Sequence, residues 1–379
     1  DGTQTSTVTV SIVDASSDDA FDSVPDRTVS VATVDNDVAG FTIAQSSGST
    51  SVAETGTTDT FTVVLNAQPS SDVVFSISSG DTGEATVTSA LTFTAANWNT
   101  AQTVTVTGAD DNLVDGSQTS TITVAINDGS SDNNFDPVAD QTVSVTTTDN
   151  DTAGFTIAQS SGSTSVAETG TTDTFTVVLN AGPTSDVVLS ITSGDTGEAT
   201  VTGTLTFTSG NWNSAQTVTV TGVDDNLIDG TITSTITVAV NDGSSNDSFD
   251  GVADQTVSVT TTDNDVAGFT IAQSSGSTSV SESGTTDTFT VVLNAQPSSD
   301  VVFSISSGDT GEATVTGTLT FTAANWNSPQ TVTVTGVDDS IIDGSQTSTT
   351  TISIIDAITD DAFDGVADQT VSVTTTDND

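Results

Sequence analysis

The sequence predicts an all-β protein: a tandem array of seven-stranded, immunoglobulin-like β-sandwiches. Two observations carry that prediction. A stretch of 114 residues recurs three times, closed at each seam by Asp35-Asn36-Asp37, Asp149-Asn150-Asp151, Asp263-Asn264-Asp265 and Asp377-Asn378-Asp379, and a fixed period marks a repeat architecture. Within each copy, short apolar runs alternate with Thr and Ser and are separated by Gly, Asn, Asp and Ser. That is the period-2 pattern of strands with one buried face, and no helical periodicity competes with it.

Whole repeats are expected at 38–151, 152–265 and 266–379, each within the usual size of one domain. Residues 1–37 read as the last third of another, because Asp1-Gly2-Thr3-Gln4-Thr5 matches Asp115-Gly116-Ser117-Gln118-Thr119. The chain is therefore expected to be an excerpt of a longer protein.

In the first whole repeat, strand A is expected at Gly40 to Ala44, continuing to Ser51-Val52. Strand B follows at Thr60 to Asn66 with Phe61, Val63 and Leu65 inward, and C at Asp72 to Ser78 with Val73, Phe75 and Ile77 inward. D is expected at Leu91 to Thr94, E at Gln102 to Gly108 with Val104 and Val106 inward, F at Thr119 to Asn127 and G at Gln141 to Thr147. Seven strands with two apolar faces make a sandwich. The partial unit at 1–37 holds F and G alone; an isolated hairpin is marginal in water, so it is expected to be disordered or completed by strands from elsewhere.

Charge bounds the function. There are 51 acids against one base, Arg27, for a net charge of −50. Such a chain repels itself unless cations neutralise it, and nucleic acid and anionic membranes are poor partners. With no Cys and no His, disulfides, thiolate metal sites and the usual zinc ligand are absent. A Ser or Thr nucleophile would find neither His nor Lys as its base, so no enzyme is expected. No apolar stretch reaches the roughly 20 residues of a membrane span, and no signal peptide is visible.

The acids fall at one end of the domain. If seven strands alternate up and down, loops AB, CD and EF and the exit of G emerge together. They carry Glu54 and Asp59, then Asp81 and Glu84, then Asp110, Asp111 and Asp115, then Asp149 and Asp151, whereas residues 85–109 carry no acid. Packed carboxylates call for a cation, and calcium, with 6 to 8 oxygen ligands in tolerant geometry, suits the donor set. Two or three ions per repeat are expected. The opposite end is a weaker candidate for metal, with Asp128, Asp132, Asp136 and Asp140; Asp132 becomes Asn246 in the next copy.

The stretches Ala39-Gly40-Phe41-Thr42-Ile43, Ser51-Val52-Ala53-Glu54, Leu91-Thr92-Phe93, Val104-Thr105-Val106 with Asp110-Asp111, and the terminal Asp-Asn-Asp resemble the Calx-beta family. These are calcium-binding sandwiches of sodium/calcium exchangers that also form tandem arrays in giant bacterial surface proteins. The resemblance implies calcium ligands at Glu54, Asp81 or Glu84, Asp110, Asp111, Asp115, Asp149 and Asp151. The equivalents are Glu168, Asp195, Glu198, Asp224, Asp225, Asp229, Asp263 and Asp265, then Glu282, Asp309, Glu312, Asp338, Asp339, Asp343, Asp377 and Asp379, with Asp1, Asp35 and Asp37 in the partial unit. Asn150 inside the triplet and Asp115-Gly116, where glutamate is common, depart from the family pattern.

Trp98, Trp212 and Trp326 lie in the DE loop and are expected to plug the base of the sandwich rather than stack on a sugar. The expected role is a calcium-stiffened stalk or filament segment of a large bacterial surface protein, extracellular, with calcium and neighbouring repeats as partners. The alternatives are a module that binds cell-surface glycans or another partner, and a filament of like chains completed by strand exchange.

Overall fold

The computed structural model describes residues 2–379. Its strands in the partial unit and first repeat are β1 (Gln4–Val10), β2 (Arg27–Thr33), β3 (Phe41–Gln45), β4 (Thr50–Ala53), β5 (Thr58–Leu65), β6 (Val73–Ser79), β7 (Ala85–Val87), β8 (Ala90–Phe93), β9 (Gln102–Gly108), β10 (Leu113–Val114), β11 (Gln118–Ile126) and β12 (Gln141–Thr148). Two sheets form the sandwich, in the orders β3-β5-β9-β7 and β4-β12-β11-β6-β8. The same two sheets recur at 155–262 and 269–376. Among the described residues no helix is long and apolar enough to cross a membrane.

The alternation places side chains as expected. Phe61, Val63, Val73, Phe75, Val104 and Val106 are fully buried between the sheets. Phe41 packs edge-on to Phe75 with ring centroids 4.9 Å apart, and Phe75 does the same to Phe93 at 5.7 Å, the arrangement aromatic quadrupoles favour.

Expected strand A is split between the sheets. A is not continuous: β3 pairs with β5, the chain turns at Gly48 (φ +80°), and β4 crosses to pair in parallel with β12. Asp59 fastens this turn, since its carboxylate accepts from Ser46 Oγ, the Ser51 N–H and the Thr60 N–H. β8, the expected D, pairs with β6, and the additional short strand β7 before it pairs with β9 in the opposite sheet. At the crossing of A the inward parity shifts, from Phe41 and Ile43 in β3 to Thr50 and Val52 in β4, whereas from β7 to β8 it is kept, Ala85 and Val87 leading to Leu91 and Phe93.

The crossing of A positions the site. The Glu54 N–H extends the parallel pairing to the Thr148 carbonyl at 3.2 Å, which seats Glu54 beside the Asp-Asn-Asp seam. β9 passes directly beneath: a Cβ on Gly108 would collide with the Ala53 carbonyl, so only glycine lets the EF loop leave at that point.

The partial unit keeps the pairing of the whole repeats. β1 and β2 form a hairpin in the register Gln4↔Thr33 to Val10↔Arg27, matching Gln118↔Thr147 to Val124↔Gln141 in β11 and β12. With no second sheet over it, Val8, Val10, Val29 and Val31 are exposed. Their counterparts Ile122, Val124, Val143 and Val145 are buried.

Candidate metal centre

Loops at one end of the sandwich bring together carboxylates from four separate places in the chain. Oxygens of Glu54, Glu84 and Asp115 lie within 4.8 Å of one another, and so do oxygens of Glu54, Asp149 and Asp151. The two groups share Glu54. Glu168 is shared in the same way by Glu198 with Asp229 and by Asp263 with Asp265, and Glu282 gathers with Asp377 and Asp379. Oxygens around a calcium ion at about 2.4 Å can be no more than about 4.8 Å apart, so these separations suit one ion per group.

Backbone contacts aim the side chains inward. Glu84 precedes β7, and its carbonyl accepts from the Ala109 N–H at 2.8 Å and from Thr147 Oγ at 3.3 Å. This ties the CD loop to the EF loop and to β12. Asp149 accepts from the Asp115 and Gly116 N–H groups at 3.1 and 2.8 Å and from the Asp151 N–H at 2.6 Å, so the seam orders itself and the EF loop together. Asp35 repeats the pattern, accepting from Gly2 and Asp37; Asp1 lies outside the described residues.

Burial here is severe for acids. Glu54 is 1% exposed and Glu84 7%. Glu84 Oε2, Asp115 Oδ1 and Asp151 Oδ2 are buried with no hydrogen-bond partner, as are Glu198 Oε2, Asp229 Oδ1, Asp265 Oδ2 and Glu312 Oε2. An unpaired buried acceptor costs about 1 to 3 kcal/mol, and more when charged. Glu84 and Asp115 share one group and Asp151 belongs to the other, so a multivalent cation in each would satisfy them, and among oxygen-only donors calcium fits best.

The protonation equilibria record the same conflict. Burial, then the charges of Asp115, Glu54 and Asp111, pushes the Glu84 carboxyl from its ordinary 4.5 up to about 7. Burial likewise lifts Glu168 to about 7 against the opposing Asn264 N–H, and it raises Glu54, Asp115 and Asp151. A folded-state pKa above the unfolded value stabilises the fold below the unfolded pKa, and that contribution is lost as pH rises through the folded pKa. In chelator, the melting temperature should therefore fall between about pH 4.5 and pH 7. Calcium binds the ionised form, so with calcium present the slope over this window should vanish or reverse. Melting curves in the two buffers check it.

Other expected ligands also fasten their own loops. Asp81 accepts the Gly83 N–H at 3.0 Å within its own turn, Asp111 accepts the Leu113 N–H at 2.7 Å, and Asp110 accepts from Asn150 Nδ2 at 2.9 Å. The same Asn–Asp bond joins Asn264 to Asp224 and Asn378 to Asp338. Asn150 also donates its N–H to Glu54 at 3.2 Å. Sequence reasoning treated Asn150 as a departure, yet it latches the EF loop over the cluster; its recurrence at every seam was the available signal. Asp59, expected with the cluster, is spent on the turn after β3.

At the opposite end Asp132 already has its partners. Asp132 is buried and accepts five hydrogen bonds: from the Ser70 N–H and Oγ, the Ser71 N–H, and the Asn134 N–H and Nδ2. Burial pushes its pKa up, but these donors outweigh burial and hold it below the ordinary carboxylate value. Asn246 fills the same place without charge, donating to Thr184 and Ser185.

No protein-family model matches the chain, and no curated relative matches it. Among solved structures it is similar to the calcium binding domain CBD12 of CALX1.1, at 14% identity over 52% of this chain and 80% of that one, with a TM-score of 0.22. It is also similar to domains 4-9 of the surface layer protein SbsC (18% identity, 92% and 52% covered, TM-score 0.24) and to an I-band fragment of titin (8% identity, 91% and 98% covered, TM-score 0.26).

Proposed function

We propose that the chain is a calcium-stiffened structural segment, a repetitive spacer in an extracellular stalk or fibre, with two calcium ions held in each repeat. Glu54 bridges them, Glu84 with Asp115 holds one, and Asp149 with Asp151 holds the other. The equivalents are Glu168, Glu198, Asp229, Asp263 and Asp265, then Glu282, Glu312, Asp343, Asp377 and Asp379. Asp110, Asp111 and Asp81 shape the loops and add charge.

The observation that carries this reading is the cluster of buried, unpartnered carboxylate oxygens of Glu84, Asp115 and Asp151. Without a cation they would oppose folding; with one they cross-link four loops. Millimolar external calcium saturates even weak sites, which favours an extracellular setting. Because Asp149 and Asp151 form both the cluster and the seam before Thr152, metal would fix the point where one repeat hands over to the next. Three near-identical copies suit a spacer better than a recognition module, and Trp98, Trp212 and Trp326 are half-buried against their cores, which speaks against a sugar-stacking platform. Calcium binding to the full chain tests the reading.

A further inference from the structure

Between Asp111 and Asp115, each EF loop carries two aliphatic residues that the carboxylate cluster does not use. In the first repeat these form β10, which pairs in parallel with the BC loop of the second repeat, Leu113 with Gly182 and Val114 with Pro183. The Gly182 N–H donates to the Asn112 carbonyl at 2.6 Å. Val114 is 9% exposed and belongs to the apolar core of the second repeat, against which Trp212 packs. The second loop repeats the contact on the third repeat: Leu227 bridges Gln296, the Gln296 N–H donates to the Asn226 carbonyl at 2.7 Å, and the Ile228 N–H donates to the Gln296 carbonyl at 3.0 Å. Ile228 packs there against the core that Trp326 also touches.

The third loop supplies the control. No described repeat packs on it, and Ile341 and Ile342 are 59% and 82% exposed. The head of the first repeat supplies the reciprocal control. A cavity of about 340 Å³, lined by Ala67, Gln68, Pro69 and Phe135, opens at the place equivalent to the one β10 fills on the second repeat.

The two filled sites differ at Gly182 against Gln296 and at Val114 against Ile228. A Cβ on Gly182 would come within 2.9 Å of Leu113 Cδ2, 3.0 Å of the Asn112 carbonyl and 3.1 Å of Trp212 Nε1. Glycine therefore lets the loop seat fully. Where Gln296 stands, pairing shortens from two residues to one bridge, and Ile228 is half-buried where Val114 is buried.

We propose that the Trp-bearing end of each repeat is a receptor for the EF-loop segment of the repeat before it, and that the residue at 182 or 296 sets how firmly the segment is held. The joint before the second repeat is the tighter one. This contact is apolar and backbone-mediated, so it stands apart from the metal reading.

Single-molecule energy transfer on the full chain tests it. The chain has no cysteine, so the exposed pairs Thr103→Cys with Thr217→Cys, and Thr217→Cys with Thr331→Cys, each report one joint. The first joint should show the narrower distance distribution. Gly182→Gln should raise its undocked population roughly ten-fold, equivalent to about 1.4 kcal/mol, and Gln296→Gly should narrow the second joint. Leu113→Ser with Val114→Ser should loosen the first joint alone. Equal widths in the parent chain, or widths unmoved by the exchange at 182 and 296, would overturn the grading. An unmoved first joint in the double serine variant would overturn the receptor. Should Gly182→Gln fail to fold, Gln296→Gly and the serine pair still decide the outcome.

Discussion

Chelating calcium from the full chain should lower its melting temperature by about 10 °C or more. A ligand that binds only the folded state at 100 times its dissociation constant adds about 2.7 kcal/mol. For a domain near 100 residues, each kcal/mol moves the melting temperature by about 4 °C or more. Two sites per repeat raise the effect further, and Glu54, buried at 1% exposure beside Glu84 and Asp149, is otherwise neutralised only by taking up a proton. Near neutral pH the metal-free carboxylates keep most of their charge, so differential scanning calorimetry there, in millimolar calcium and in chelator, checks it; an unmoved transition would contradict it.

The second large effect is a reversal of sign. Glu54→Gln and Glu168→Gln keep an acceptor for the N–H groups of Asn150 and Asn264 but remove the charge shared by both metal groups. In chelator the repulsion with neighbouring acids, roughly 1 to 4 kcal/mol per pair near 4 Å, is relieved, and each variant should melt above the parent. In calcium the bridging ligand is lost together with most of the stabilisation by metal, and each should melt below it. A residue of purely structural importance would lower the transition in both buffers. Melting curves of parent and variants in the two buffers separate the cases.

Much of the fold was legible because alternation decides burial. Strand E was read to the residue, and Phe61, Val63, Phe75 and Val104 face inward as expected. The short strand β7 was not legible because three residues are too few to register, nor was the crossing of A, since the run Ser46-Ser47-Gly48-Ser49 holds no apolar residue to show the change of parity. Its marks are local: Gly48 at positive φ and the Asp59 carboxylate over Ser46 and Ser51. Strand parity brought these loops to one end, but it did not show which carboxylate oxygens accept from nearby N–H groups and which are left without a partner. That division depends on which N–H groups are free nearby. Asp81 and Asp111 find one two residues on, whereas Glu84 Oε2 finds none. The docking of Leu113 and Val114 was missed because two aliphatic residues among acids form too short a run to register as a strand.

Isothermal titration of calcium into the full chain, beside a variant carrying Glu54→Gln, Glu168→Gln and Glu282→Gln, tests the central claim most directly. Saturable binding by the parent that is abolished or greatly weakened in the triple variant is the predicted result. No heat at millimolar calcium, or equal binding by both proteins, would contradict it.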